Sequence, residues 1–265
     1  MLIVISPAKS LDYETKFDVE NFTIPHFAKE TQKLAFELKK FSISDLEKLM
    51  GISKKLAELN FARFQNFENK YNLKNSRQSL LAFDGDVYAG INKENFTKKD
   101  FDFAQKTVRI LSGFYGVLKP LDLIQPYRLE MGTDLKKFKI FQDLNLKNLY
   151  QFWGDKVSNY LNEELNNQEI KDSGAKHIIN LASEEYFSVI NPKIILGKVI
   201  NIFFKEQKGN ALKIVGISSK KARGLMTNFA IKNKITNPQN LKEFCQENYR
   251  FEKSLSDEMN LVFIR

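Results

Sequence analysis

Lysine and aspartate side chains carry the clearest potential for chemistry in this sequence. Lys9 and Asp12 lie three positions apart, and Lys220 with Asp86 forms a second candidate pair of an amine and a carboxylate. A lysine whose pKa is lowered by burial can attack a sugar C1′ as an amine nucleophile. No Gly-x-Ser-x-Gly motif, Walker loop or dinucleotide fingerprint identifies a reaction. These four residues are therefore candidates for catalysis without an assigned step.

Metal chemistry has weaker support from the sequence. The two histidines are far apart, and the single cysteine, Cys245, cannot form a disulfide within the chain or a thiolate cluster. Asp84 and Asp86, or Glu184 and Glu185, could hold a hard cation through oxygen, although an Asp-x-Asp sequence usually forms only a turn. We predict no metal site and no cofactor.

Anion binding has a firmer basis, in a turn between two predicted helices within residues 44–67. The glycine of this turn can end the first helix in a left-handed conformation, and its serine can cap the second. Free N–H groups at the start of the second helix, with two lysines beside them, would bind a phosphate. An ordinary αα-hairpin with a solvated lysine pair is the alternative. The predicted DNA-contacting residues here are Gly51, Ile52, Ser53, Lys54 and Lys55.

A second basic segment opens a helix that we predict from about residue 220. Lys220, Lys221 and Arg223 would lie in its first turn. Cations there oppose the helix dipole, which an anion bound at the same place would offset. The alternative is that nearby carboxylates neutralise the lysines. We expect the three cations to converge with Lys9 and Arg128 on one DNA-binding cleft.

The segment Leu111–Gly132 combines turn-forming residues with aromatic and charged side chains. It contains three glycines and two prolines, together with Tyr115, Tyr127, Arg128 and Glu130. Glycine and proline fix an irregular backbone path, and such side chains on it are more often a site than a linker. The alternative is a buried connection. The tyrosines could stack on exposed bases or belong to the core.

The elements that must position these residues follow a mixed order. The apolar run Leu2–Ile5 predicts a buried strand. Amphipathic spacing predicts a helix over Asp100–Leu111, with Gly113 as its cap, and another over about Lys147–Leu165 with Trp153 facing inward. Helices dominate the first half and strands the second. The predicted fold class is therefore α/β, of the mixed α+β kind, with a mixed sheet and surrounding helices.

Composition limits the class of protein further. The chain has 265 residues, of which 43% are hydrophobic, and this suffices for a sizeable core in one domain over residues 1–265. A formal charge of +9, from 41 basic and 32 acidic residues, suits a polyanionic partner. No stretch approaches the roughly twenty apolar residues of a membrane span. We expect a cytoplasmic monomer with no membrane partner.

Several long motifs resemble those of the YaaA peroxide-stress protein family. They are SPAKSLDY at 6–13, AFDGDVYAG at 82–90, LSGFYGVLKPLDLIQPYRLEMG at 111–132, LYQFWGD at 149–155, NLASEEYF at 180–187 and KKARGLM at 220–226. The resemblance implies a bacterial protein that protects cells from hydrogen peroxide, limits free intracellular iron and binds double-stranded DNA. It also implies a compact α/β fold with a helix–hairpin–helix motif beside a positively charged cleft. The usual hairpin sequence of this motif is Gly-hydrophobic-Gly, and this sequence departs from it because Ser53 replaces the second glycine.

Residues and resemblance together lead to one expected function. The protein binds double-stranded DNA non-specifically through phosphates and helps to protect it from oxidative damage, with lowered free iron. Two alternatives stay open: an enzyme that acts on nucleobases or DNA lesions in the same cleft, and an iron-handling protein. Because no motif identifies a reaction, we expect binding rather than turnover.

Overall fold

An eight-stranded mixed sheet forms the centre of the computed structural model, which describes residues 1–136, 138, 141–142, 145–167, 176–209 and 211–265. The strands are β1 Leu2–Ile5, β2 Ser10–Leu11, β3 Arg77–Gln78, β4 Phe83–Asp84, β5 Val108–Ser112, β6 Gly116–Leu118, β7 Leu123–Ile124, β8 His177–Leu181, β9 Lys198–Lys208, β10 Ala211–Lys213, β11 Arg250–Phe251 and β12 Asn260–Ile264. The mixed α/β class predicted from the sequence is confirmed.

Helices surround this sheet. They are α1 Ala28–Leu38, α2 Ile43–Met50, α3 Lys54–Gln65, α4 Ser79–Ala82, α5 Asp86–Ala89, α6 Lys98–Thr107, α7 Leu149–Trp153, α8 Lys156–Asn166, α9 Glu184–Phe187 and α10 Gly216–Lys232. Short 3₁₀ helices cover Lys93–Asn95, Pro238–Glu243 and Lys253–Leu255. Among the described helices, none combines the length and apolar composition that a bilayer crossing requires.

Strand β1 lies at the topological switch point of the sheet, because later strands of the chain are added on both sides of it. The order is β11-β12-β9-β8-β1-β5-β6, with β10 paired to β9. Strand β1 pairs in parallel with β5 on one side and with β8 on the other, and its four apolar residues are fully buried. In open α/β sheets, the crevice outside the carboxyl ends of two such strands is where ligands bind. The residues that follow β1 and β8 are therefore the first candidates for a ligand-binding site.

The prediction of a helix over Asp100–Leu111 is wrong at its last four residues. Helix α6 ends at Thr107, and Val108–Ser112 forms β5, in which Ile110 lies opposite Ile5 of β1. Every residue of β5 is buried, so its apolar side chains satisfy a helical spacing and a buried strand equally well. Pairing with β1 decides between them, and Gly113 follows a strand instead of capping a helix.

The single helix predicted over about residues 147–165 is two helices. Gly154 separates α7 from α8 and has a φ of +48°, which favours glycine and interrupts the helical path. The inward position predicted for Trp153 is confirmed, because its side chain is fully buried and its Nε1–H donates to the Gly113 carbonyl at 2.9 Å.

Candidate functional site

Two serines join the ends of β1 and β8. The backbone N–H of Ser183 donates to Ser6 Oγ at 2.8 Å, and the two hydroxyl oxygens lie 3.3 Å apart. From α5, the Tyr88 hydroxyl donates to the Ser6 carbonyl at 3.1 Å. These bonds fix the loop that carries Lys9 at the crevice between the two strands.

Lys9 and Arg128 meet at one carboxylate. Lys9 Nζ lies 2.8 Å from Glu130 Oε2, and Arg128 Nη2 lies 3.1 Å from Glu130 Oε1. The Lys9 side chain is exposed, at 62%, whereas that of Arg128 keeps only 17% of its surface. Arg128 Nε is buried and has no hydrogen-bond partner among the described residues. Glu130 therefore holds the two predicted cations at one place.

Asp12, the predicted partner of Lys9, belongs to a different contact. It forms an ion pair with Arg77 at 3.2 Å and accepts backbone N–H bonds from Glu14 and Thr15. Burial raises the pKa of Asp12, but these hydrogen bonds and the Arg77 charge outweigh burial and lower the pKa to about 2. The carboxylate stabilises its own turn, and the structure does not bring it to Lys9.

The second predicted pair does come together. Lys220 Nζ lies 3.9 Å from Asp86 Oδ2, where α10 crosses α5. A Cβ atom at Gly224 would lie 1.8 Å from the Val87 carbonyl oxygen, so only glycine permits this crossing. Gly85, immediately before Asp86, packs against Ala8 of the loop after β1. The pair thus lies beside the loop that carries Lys9.

The prediction that Lys220, Lys221 and Arg223 lie in the first turn of this helix is wrong. Helix α10 begins at Gly216, so Lys220, Lys221 and Arg223 lie in its second turn, away from its free N–H groups. Lys221 is paired with Glu247. Burial lowers the pKa of Arg223, and its Nε has no partner among the described residues.

The turn between α2 and α3 has the predicted backbone shape. Gly51 ends α2 with a φ of +60°, and Ile52 N–H donates to the Glu47 carbonyl. Ser53 precedes α3 in an extended conformation, but its side chain makes no capping bond, which corrects the prediction of a serine cap. This arrangement leaves the first N–H groups of α3 without a side-chain acceptor from Ser53.

The lysines at this turn are available to a ligand. Lys54 and Lys55 are exposed and have no ion pair within the described part of the chain. The first turn of α3 contains no acidic residue. Two uncompensated cations therefore add to the positive end of the helix dipole.

A cavity of about 380 Å³ connects the turn to the crevice. Its volume falls in the ~300–1,000 Å³ range of small-ligand sites. Its walls come from the end of α2, from the segment after β7 and from α9. The lining residues are Leu49, Met50, Gly51, Arg128, Glu130, Gly132, Thr133, Asp134 and Glu185.

Two residues of this region, Arg63 and Glu185, were not predicted from the sequence to belong to the site. Arg63 of α3 is half-buried; burial lowers its pKa, and the nearby Arg128 charge lowers it further. No motif marks Arg63, because only the folding of α3 against the crevice brings it near Arg128. Glu185 lines the cavity, although the sequence suggested it only as a metal ligand.

The aromatic residues of Leu111–Gly132 are interior. Tyr115 is fully buried and Tyr127 keeps 5% of its surface. The Tyr127 and Ser112 hydroxyl oxygens lie 2.6 Å apart. Base stacking by these tyrosines is therefore excluded in this structure, and the alternative of a buried connection is correct for them, while Arg128 reaches the cavity.

The fold and site define a mixed α/β protein with a polar crevice at β1 and β8 and a lysine-bearing helical turn beside it. Comparison with known proteins identifies the family: the model for the peroxide stress protein YaaA matches residues 1–255, and the chain belongs to this family. Similar proteins include UPF0246 proteins of Acaryochloris marina (48% identical) and of Burkholderia cenocepacia strain HI2424 and Cupriavidus metallidurans (44% each). The alignments cover all of this chain and 98–100% of those proteins.

Proposed function

We propose that this peroxide-stress family protein binds double-stranded DNA through its phosphates, with little sequence preference, and so protects it from oxidative damage. The observation that carries the proposal is the start of α3, where uncapped N–H groups follow Gly51 and two exposed lysines stand beside them. The resemblance of this turn to a helix–hairpin–helix supports the same role.

The physics of the turn suits a phosphate oxygen. Backbone N–H groups at a helix start point along the axis and carry part of the helix dipole, which favours an anion. Lys54 and Lys55 add charge without reading bases, and such contacts make binding depend on salt. The formal charge of +9 adds long-range attraction to a polyanion.

A matched pair of variants tests the proposal. Lys98 and Lys99 are also exposed at a helix start, but Thr97 and Asp100 cap that helix. Duplex binding is measured by fluorescence anisotropy over a range of salt concentrations. We expect Lys54→Ala/Lys55→Ala to weaken binding and reduce the slope of log K against log salt by about 2. The control, Lys98→Ala/Lys99→Ala, should change the slope much less.

Equal losses in the two double variants would show that total charge matters and the turn does not, which contradicts the proposal.

Lowered free iron is part of the same proposal. Equilibrium dialysis with ferrous iron tests whether it involves direct binding; retention of iron at micromolar concentration would favour an iron-handling protein.

A second candidate function is an enzyme that acts on nucleobases or DNA lesions. The 3.9 Å approach of Lys220 to Asp86 favours it, since an amine and a carboxylate then flank one crevice. Incubation with lesion-bearing duplexes should then release a base or cut the strand, and Lys220→Ala should abolish the product. No product from any lesion would leave DNA binding as the function.

A further inference from the structure

The cavity beside the helical turn contains polar groups that the fold leaves unused. Arg128 donates through Nη2 to Glu130 and keeps 17% of its side-chain surface, while its Nη1 makes no hydrogen bond with the described residues. Glu185 Oε1 accepts the Gly132 N–H at 2.9 Å, and Asp134 Oδ1 accepts the Lys136 N–H at 2.9 Å. The second oxygens of Glu185 and Asp134 accept no hydrogen bond from the described residues. Polar groups that are free on the wall of a cavity are available to orient a ligand.

The charge of the cavity disfavours a phosphate as the natural occupant. Three carboxylates, those of Glu130, Asp134 and Glu185, line the cavity with one guanidinium, Arg128. Lys9 pairs with Glu130, and the carboxylates still outnumber the cations by one. A phosphate would be repelled, because like charges at short range in a partly buried site destabilise each other. A neutral ligand that offers N–H donors to carboxylates and acceptors to a guanidinium fits this set. The apolar wall of Leu49 and Met50 suits a flat, partly apolar molecule.

We propose that this cavity binds an extrahelical nucleobase, with guanine as the preferred base; the role for DNA rests on the proposed function. Guanine presents O6 and N7 as adjacent acceptors, which arginine reads well. Its N1–H and N2–H groups are adjacent donors that match a carboxylate such as Glu185. Thymine carries two carbonyl oxygens and a single N–H, so it matches three carboxylates poorly.

The location of the cavity agrees with this ligand. Gly51 lies both in the wall of the cavity and in the turn that would hold a phosphate. A nucleotide held there by its phosphate therefore needs only to rotate out of the helix for its base to enter. Rotation is least costly for a base that is already unpaired.

Two ligand sets separate this inference from DNA binding itself. Deoxyguanosine and thymidine carry no phosphate, and their binding is measured by isothermal titration calorimetry. Duplexes with one unpaired guanine, one unpaired thymine or none are measured by anisotropy. Wild-type protein should bind deoxyguanosine at least about tenfold more tightly than thymidine and should prefer the unpaired guanine. Equal binding of the two nucleosides would overturn the inference.

Glu185→Gln provides the decisive variant, because glutamine keeps an oxygen for the Gly132 N–H and removes the charge. We expect it to abolish the guanine preference and leave binding of the fully paired duplex unchanged. Glu184→Gln is the matched control: this residue is exposed on the same short helix and does not line the cavity. Equal effects of the two variants would contradict the inference.

A second variant disturbs the same carboxylate from its other side. A Cβ atom at Gly132 would lie 3.2 Å from Glu185 Oε1, so Gly132→Ala should displace that carboxylate and reproduce the loss of preference. Lys54→Ala/Lys55→Ala should weaken all three duplexes equally and leave deoxyguanosine binding intact. If wild-type protein binds no duplex but still selects deoxyguanosine, DNA binding fails and the base site stands. If it binds duplex without a base preference, the base site fails alone.

Discussion

Replacement of Gly224 by alanine should destabilise the protein more than any helix-propensity scale suggests. At this residue α10 crosses α5 backbone to backbone. An added Cβ would lie 1.8 Å from the Val87 carbonyl oxygen and 3.0 Å from Gly90 Cα. Both obstacles are backbone atoms, so no side-chain rotation can relieve the overlap.

The magnitude follows from two opposing effects. Inserting a methyl group into a packed contact costs typically ~1–3 kcal/mol, and an overlap with rigid backbone belongs at the upper end. Alanine gains about 1 kcal/mol over glycine within a helix. The net loss is therefore about 2 kcal/mol. In a chain of this size, that loss corresponds to a fall in Tm of about 4–8 °C.

Thermal and urea unfolding measure this loss, with two glycine controls. Gly216→Ala lies at the start of the same helix in open space and should change stability by only a few tenths of a kcal/mol. Gly51→Ala has open space but a φ of +60°, so it should lose about 1 kcal/mol to backbone strain alone. A Tm for Gly224→Ala equal to or above that of wild type would refute the tight crossing, and with it the positioning of Lys220 beside Asp86.

Three further predictions concern the buried side chains of Asp122 and Trp153. Burial raises the pKa of Asp122 to about 6 despite hydrogen bonds from Thr23 and from the Lys119 N–H, so the carboxyl contributes stability at low pH that is lost as pH rises through 6. The difference in unfolding free energy between Asp122→Asn and wild type should therefore shift in favour of the variant by up to about 3 kcal/mol between pH 4 and 7. Urea unfolding measures this difference, and a value that does not change with pH would disprove the prediction. Trp153→Phe leaves the Gly113 carbonyl unpaired and should cost about 2–3 kcal/mol in the same assay. As the only tryptophan, Trp153 should keep its buried fluorescence when DNA binds.

Local signals in the sequence predicted the helical turn well. Gly51 ends α2 in the left-handed conformation that its position indicated, and α3 begins directly after Ser53. Both features depend on residues within one turn of each other, and short-range preferences of glycine and serine are strong. Only the capping bond predicted for the Ser53 side chain is absent.

Features that depend on contacts between distant segments are harder to predict from local sequence patterns. Val108–Ser112 became a strand because β1 is its neighbour, and no local pattern reveals that neighbour. The site was predicted in part, because Lys9 meets Arg128 and Lys220 meets Asp86 as expected. The role of Glu130 as the bridge, and the pairing of Asp12 with Arg77, depend on segments that only the sheet brings together. The sequence indicated which residues are charged; the sheet order decides which of them share a site.

The pattern of ion pairs leads to a last prediction, on the salt dependence of DNA binding. The cations predicted to contact DNA are Lys9, Lys54, Lys55, Arg128, Lys220, Lys221 and Arg223. Four of these have carboxylate partners, whereas Lys54, Lys55 and Arg223 have none within the described residues. A cation that is already paired with a carboxylate only exchanges one anion for another, so it adds little to counterion release. About three phosphate contacts therefore contribute to the salt dependence of binding. The slope of log K against log salt should be about −3. A measured slope near −6 would mean that all the pairs open on DNA, and it would refute the view that the crevice keeps its carboxylates for a base.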